Sequence, residues 1–153
     1  MKDLKVVFNE LEKHRERLVY SKKKIESWNR IDEKILQNPE KVETIDSFIF
    51  RFSKLQDSMG EKLFPLTLEF LGEEVRNKPF IDILNRLERL ELIESAQKWK
   101  ELRELRNILT HTYPWETEII IDTVKIALKK SEELVRTLDK FKDFLKARGL
   151  EIK

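Results

Sequence analysis

Four residues of ELRNILTHTYPWE, positions 104–116, could do chemistry together: Arg106, Asn107, His111 and Tyr113. Their types suit metal-free cleavage of RNA, in which a 2′-hydroxyl attacks the adjacent phosphate. Histidine moves protons near neutral pH. Arginine offers a planar, permanently charged fork to the equatorial oxygens of the phosphorane. Asn107 would orient a phosphate or a ribose hydroxyl, and Tyr113 would donate to phosphate or stack on a base. The same residues also have plainer roles. His111 would complement the macrodipole at a helix C-terminus, and Arg106 would be a snorkelling edge residue or half of an ion pair. Trp115 would pack at the start of the following helix. Residue types alone carry the reading as far as a candidate phosphate site.

The element that must position these groups is a helix opened by Ser95 as N-cap, with Trp99, Leu102, Leu105 and Leu109 on its buried side. At about 100° per residue, Arg106 falls on the margin of that face and His111 lies about 140° away. Within one regular helix the two side chains do not converge. Either the helix unwinds before Pro114 and swings His111 round, or a second subunit supplies the missing partner.

The rest of the chain has the pattern of a helical scaffold. Glycine occurs three times and proline four times in 153 residues, so long helices follow. A first helix is predicted from about Lys2 to Leu36, with Leu4, Val7, Phe8, Leu11, Leu18, Ile25, Trp28, Ile31 and Ile35 on or near one stripe. Pro39 ends it. A second carries Ile45, Phe48, Ile49, Phe52, Leu55 and Met59 at a buried seam's spacing, with Gly60 and Pro65 placed to kink or split it. NKPF opens a short third helix with Phe80, Ile81, Ile83, Leu84, Leu87 and Leu90. The Ser95 helix is the fourth. A long fifth follows Pro114, carries Ile119, Ile120, Val124, Ala127, Leu128, Leu134, Val135, Leu138, Phe141 and Leu145, and ends near Gly149. The expectation is a single all-α domain over residues 1–153, an antiparallel bundle of about five helices.

Composition narrows the functional classes. Charged residues make up 39% of the chain while the net charge is +2, so a general polyanion coat is excluded and a local basic site is not. With no cysteine and two histidines, the ligand supply for a metal enzyme is poor, and neither metal nor cofactor is expected. The charged N-terminus is unlike a signal peptide and no apolar run reaches membrane-spanning length, so a soluble, cytoplasmic protein with no membrane partner is expected. His14, between Lys13 and Arg15, reads as a solvated surface residue. Lys22 to Lys24 read as a solvated helix face.

RNILTHTY resembles the R-x4-H-x-Y motif of HepT-type toxins in the HEPN superfamily of small helical ribonucleases. Arg106, His111 and Tyr113 match the motif, and Asn107 fills the polar place after the arginine. DSFIFRFSKLQDSMGEKLF, residues 46–64, is similar to the second-helix stretch of HepT-like proteins. The resemblance implies a HEPN-like fold that dimerises through the motif-bearing helices, so that two motifs build one composite cleft. It implies a metal-independent endoribonuclease toxin, with Arg106 and His111 catalytic and Asn107 and Tyr113 on the RNA substrate. It implies a cognate nucleotidyltransferase antitoxin (MntA-like) that transfers AMP to Tyr113, placing bulk and negative charge where phosphate must sit. Asp46, Arg51 and Asp57 fall in the similar second helix and are candidates to line the cleft. A different class of function stays open beside it, a non-catalytic substrate-binding or partner subunit of a nucleotidyltransferase. So does an inert helical dimer, which would hold Arg106 in a permanent ion pair and turn His111 to solvent.

Overall fold

The structure, a computed structural model, describes residues 3–152. Among them every regular element is helical: α1 (Leu4–Glu26), a 3₁₀ turn (Glu33–Gln37), α2 (Pro39–Ser58), a π turn (Met59–Leu63), α3 (Phe64–Phe70), α4 (Phe80–Arg89), α5 (Ala96–His111) and α6 (Thr117–Ala147). Because the π turn joins α2 to α3 without a break, these segments form five rods. None of the helices is long and apolar enough to cross a membrane, among the described residues.

Local chemistry sets most of the boundaries. The Asp3 carboxylate caps α1 by accepting from the Lys5 N–H at 3.0 Å. The helix stops at Glu26, well short of the expected Leu36, and the predicted start at Lys2 lies outside the described residues. At its end the Ser27 hydroxyl donates to the Lys24 carbonyl at 2.6 Å, and the Asp32 carboxylate then caps the 3₁₀ turn through the Lys34 N–H. Side-chain bonds of this kind compete with helix continuation. Trp28 and Ile31 still pack on the core, and Ile35 is buried, because the loop folds back over the bundle. Pro39 sits at the first position of α2, with Asn38 Oδ1 accepting from the Glu40 and Lys41 N–H groups.

Gly60 and Pro65 do not split their helix. The Phe64 N–H bonds to the Met59 carbonyl, five residues back, so the widened turn falls just before the proline that has no N–H to give. At the C-terminus of α6, Gly149 adopts φ +96°. The Leu150 N–H reaches Leu145 O and the Gly149 N–H reaches Lys146 O, a Schellman closure.

The core runs the length of the bundle. Phe64 is central to it, with its ring 4.5 Å from Trp99 and stacked 5.0 Å from Phe141, so α3, α5 and α6 meet there. Helix α1 runs antiparallel to α2, as the pairs Ser21–Ser47, His14–Arg51 and Glu10–Lys62 show. Helix α2 runs antiparallel to α5, with Asp57 against Arg106 and Gly60 against Trp99. Two residues of the expected stripes, Ile81 and Ile119, are exposed. Ile121 takes the buried place at the start of α6.

Candidate active site

Helix α5 begins as its sequence requires, with Ser95 Oγ accepting from the Lys98 N–H at 3.0 Å. Trp99, Leu102, Leu105 and Leu109 are buried. It stays helical through His111, and only at Thr112 does the backbone turn extended, with ψ 134°. The first of the two routes to convergence is therefore closed: the helix does not unwind to bring His111 round. Five residues of regular helix separate Arg106 from His111 by about 7.5 Å along the axis, and the two point to different sides.

Arg106 turns inward along the α2 seam. Its NH2 donates to Asp57 Oδ2 at 2.7 Å and its NH1 to Asn107 Oδ1 at 3.1 Å. The pair is half-buried, with 28% of the Arg106 and 31% of the Asp57 side chain exposed. The Arg106 Nε is buried without a hydrogen-bond partner. His111 lies with Glu104, Asn107 and Ile108 on the outer face of α5, all four exposed. Both features of an inert helical dimer, a paired Arg106 and an outward His111, are thus present in the single chain.

The stretch after α5 is an exposed corner. Glu116 accepts from the Tyr113 backbone N–H at 3.0 Å, and Thr112 Oγ1 bonds the Ile108 carbonyl. Tyr113 and Trp115 stack on each other with ring centroids 4.6 Å apart and 6° between planes. Tyr113 is 58% and Trp115 73% exposed, so Trp115 does not pack into the bundle as expected. Its tight turn, closed by Glu116, holds it against Tyr113 instead.

Of the three cleft candidates on the second helix, the fold brings one to the motif. Asp57 holds Arg106. Asp46 shares Asp57's side of α2 but stands about 16 Å away along the axis; it is largely exposed, though neighbouring protein atoms desolvate its carboxyl enough to raise its pKa. Arg51 turns to the opposite seam, where its NH1 meets His14 Nδ1 at 3.1 Å. His14 is accordingly half-buried rather than solvated. The sequence carried that signal: His14 falls seven residues after Val7 and four before Leu18, both fully buried, so it belongs beside the apolar stripe.

Composition does not reveal which polar groups the fold leaves unsatisfied. Besides Arg106 Nε, the atoms Ser53 Oγ, Gln56 Oε1, Glu69 Oε2 and Trp99 Nε1 are buried without partners. Four of these five side chains belong to α2 and α5, the helices that carry Asp57 and the motif, and Glu69 belongs to α3. Native interiors rarely leave such groups unpaired. Among the described residues no three of His, Cys, Asp and Glu come together as a metal site. No family model, no curated protein and no solved structure matches the chain.

Proposed function

We propose that this chain is a HEPN-type, HepT-like endoribonuclease, metal-independent and cytoplasmic, and the toxin half of a toxin–antitoxin pair. Two copies face each other across the outer surface of α5. The observation that carries the reading is the division of the motif by a helix that stays regular through His111: the arginine is held inward and the histidine outward. In this reading a site needing both takes them from different chains. The exposed apolar groups bordering that face, Ile108, Tyr113, Trp115 and Ile119, are what a second copy would cover.

In the composite cleft the 2′-oxygen attacks phosphorus as the P–O5′ bond breaks, giving a 2′,3′-cyclic phosphate and a 5′-hydroxyl. His111 moves the proton between these oxygens. Arg106 stabilises charge on the non-bridging oxygens, with Asp57 and Asn107 fixing its guanidinium plane. Asn107 also orients the substrate. Tyr113 contacts RNA when unmodified, and its exposed ring is open to adenylylation by a nucleotidyltransferase antitoxin, which silences the cleft.

The test is cleavage of a mixed tRNA and mRNA pool in EDTA by the wild type, Arg106→Ala and His111→Ala. The expected result is cleavage by the wild type alone, leaving cyclic-phosphate ends. One observation favours a different reading, an inert helical dimer: Arg106 already has a carboxylate partner in the single chain and His111 faces outward. No cleavage by a dimeric protein unmodified at Tyr113 would refute the nuclease reading and favour a non-catalytic one, a partner subunit of a nucleotidyltransferase or an inert dimer.

A further inference from the structure

A second cationic surface lies along the α1–α2 seam, on the other side of α2 from Arg106. Its centre is the contact of Arg51 NH1 with His14 Nδ1 at 3.1 Å. Arginine can only donate, so Nδ1 is the acceptor and His14 is neutral with its proton on Nε2. Burial holds the His14 pKa below its usual value, helped by Arg51, Lys54 and Lys62 and opposed by Glu10. Lys62 is neutralised by Glu10 at 3.0 Å. Arg17, Arg51 and Lys54 have no carboxylate within 4.0 Å among the described residues. Arg51 feels Arg17 as a like charge while itself partly buried. Asp46 and Asp57 border these cations on the outer stripe of α2, and at the α1–α2 seam itself Arg17 and Arg51 repel each other, a repulsion that an anion would relieve.

Aromatic rings are interleaved with the cations. Phe50, 49% exposed, has the Arg51 guanidinium 4.9 Å and the Lys54 ammonium 5.5 Å from its ring centroid, which holds both charges in place. Tyr20, 69% exposed, follows Arg17 by one turn of α1. The Ser21–Ser47 contact at 3.3 Å sets Tyr20 one turn of α2 from Phe50. Phe50, Lys54 and Asp57 fall within about 60° of one another around α2, so the surface is continuous with the stripe that reaches Arg106.

We propose that this α1–α2 surface binds single-stranded RNA, with phosphates at Arg17, Arg51 and Lys54 and bases against Tyr20 and Phe50. Cations spaced by exposed rings suit a strand with stacking bases, whereas an acidic protein would need the cations alone. The inference rests on RNA being the substrate at Arg106, and gives the strand leaving that site its path along α2.

The experiment uses the full chain carrying His111→Ala, which leaves His14 as its one imidazole, and a labelled single-stranded oligoribonucleotide of mixed sequence. Arg17→Gln with Lys54→Gln is expected to weaken binding at least tenfold and to reduce the salt dependence of log K by about 1.4. Phe50→Ala is expected to weaken binding at least threefold with the salt dependence unchanged. The His14 ring resonances should show a midpoint that rises when RNA is added, because phosphate offsets the surrounding cations. RNA binding that all these substitutions leave unchanged would overturn the proposal, as would no binding by the parent. So would equal binding of a polyglutamate peptide with no effect of Phe50→Ala, the mark of a protein-docking surface. Wild-type cleavage in EDTA is measured alongside. Cleavage with an unresponsive surface refutes this inference alone, and RNA binding at the surface without cleavage refutes the nuclease reading alone.

Discussion

Replacing Asp57 by alanine separates a real Arg106–Asp57 pair from an accidental approach of two surface groups. The side chains keep about a third of their area in water, so the pair lies between two regimes. Exposed pairs contribute about 0.2–1 kcal/mol, and breaking a buried pair costs about 3–5 kcal/mol. An intermediate loss of about 2 kcal/mol follows, and alanine's higher helix propensity offsets about 0.5 kcal/mol of it. The net expectation for Asp57→Ala is a destabilisation of about 1.5 kcal/mol. Arg106→Met behaves differently, because it also removes the buried, unpartnered Nε, whose burial costs about 1–3 kcal/mol. It should cost less than Asp57→Ala, and the double variant should be no less stable than Asp57→Ala alone. Urea unfolding of the four proteins at pH 7 closes the cycle. With a slope of about 2 kcal/mol per molar, Asp57→Ala should lower the midpoint by about 0.7 M. A midpoint within about 0.2 M of wild type, or additive single substitutions, would refute the reasoning and leave Arg106 free in solution.

Three further outcomes follow from particular contacts. Glu91 closes α4 at φ 60°, with the Leu92 N–H bonded to Leu87 O and the Glu91 N–H to Glu88 O, a position that favours glycine. Glu91→Gly should therefore raise stability by about 1 kcal/mol, seen as a Tm increase of about 2–4 °C by circular dichroism, and a lower Tm would contradict it. Because the folded pKa of His14 is depressed, the unfolded chain binds its proton first as pH falls, so stability declines below about pH 6.5 and levels off beneath the folded pKa. His14→Gln should remove that part of the acid-side loss, which urea midpoints at pH 7.5 and 5 would reveal; an identical slope in both proteins would sink the assignment. Phe64→Ala should cost about 3–5 kcal/mol, since the ring is fully buried between Trp99 and Phe141. A loss under about 1.5 kcal/mol in urea unfolding would mean the three rings do not pack as described.

The helical class, the Ser95 cap, the buried faces of α2 and α5 and the stop at Gly149 were legible in the sequence because each rests on local chemistry or on period. Apolar spacing every three or four residues already states which side is inward. The length of α1 was not legible, because the Trp28–Ile31–Ile35 stripe continues in period after Ser27 has broken the backbone ladder, and those residues reach the core from a loop. Trp115 was misplaced for a related reason: hydrophobicity suggests burial, but a turn between two helix ends gave it only Tyr113 to stack on. The motif was readable as residue types and as an angle of about 140° on a wheel. What the sequence left open was whether α5 would stay regular to its end, and the structure decided that it does. Partner choice lay further out of reach. That Asp57 reaches Arg106 while Arg51 turns to His14 depends on which helices flank α2. That is a fact of packing between segments dozens of residues apart, and no window along the chain contains it.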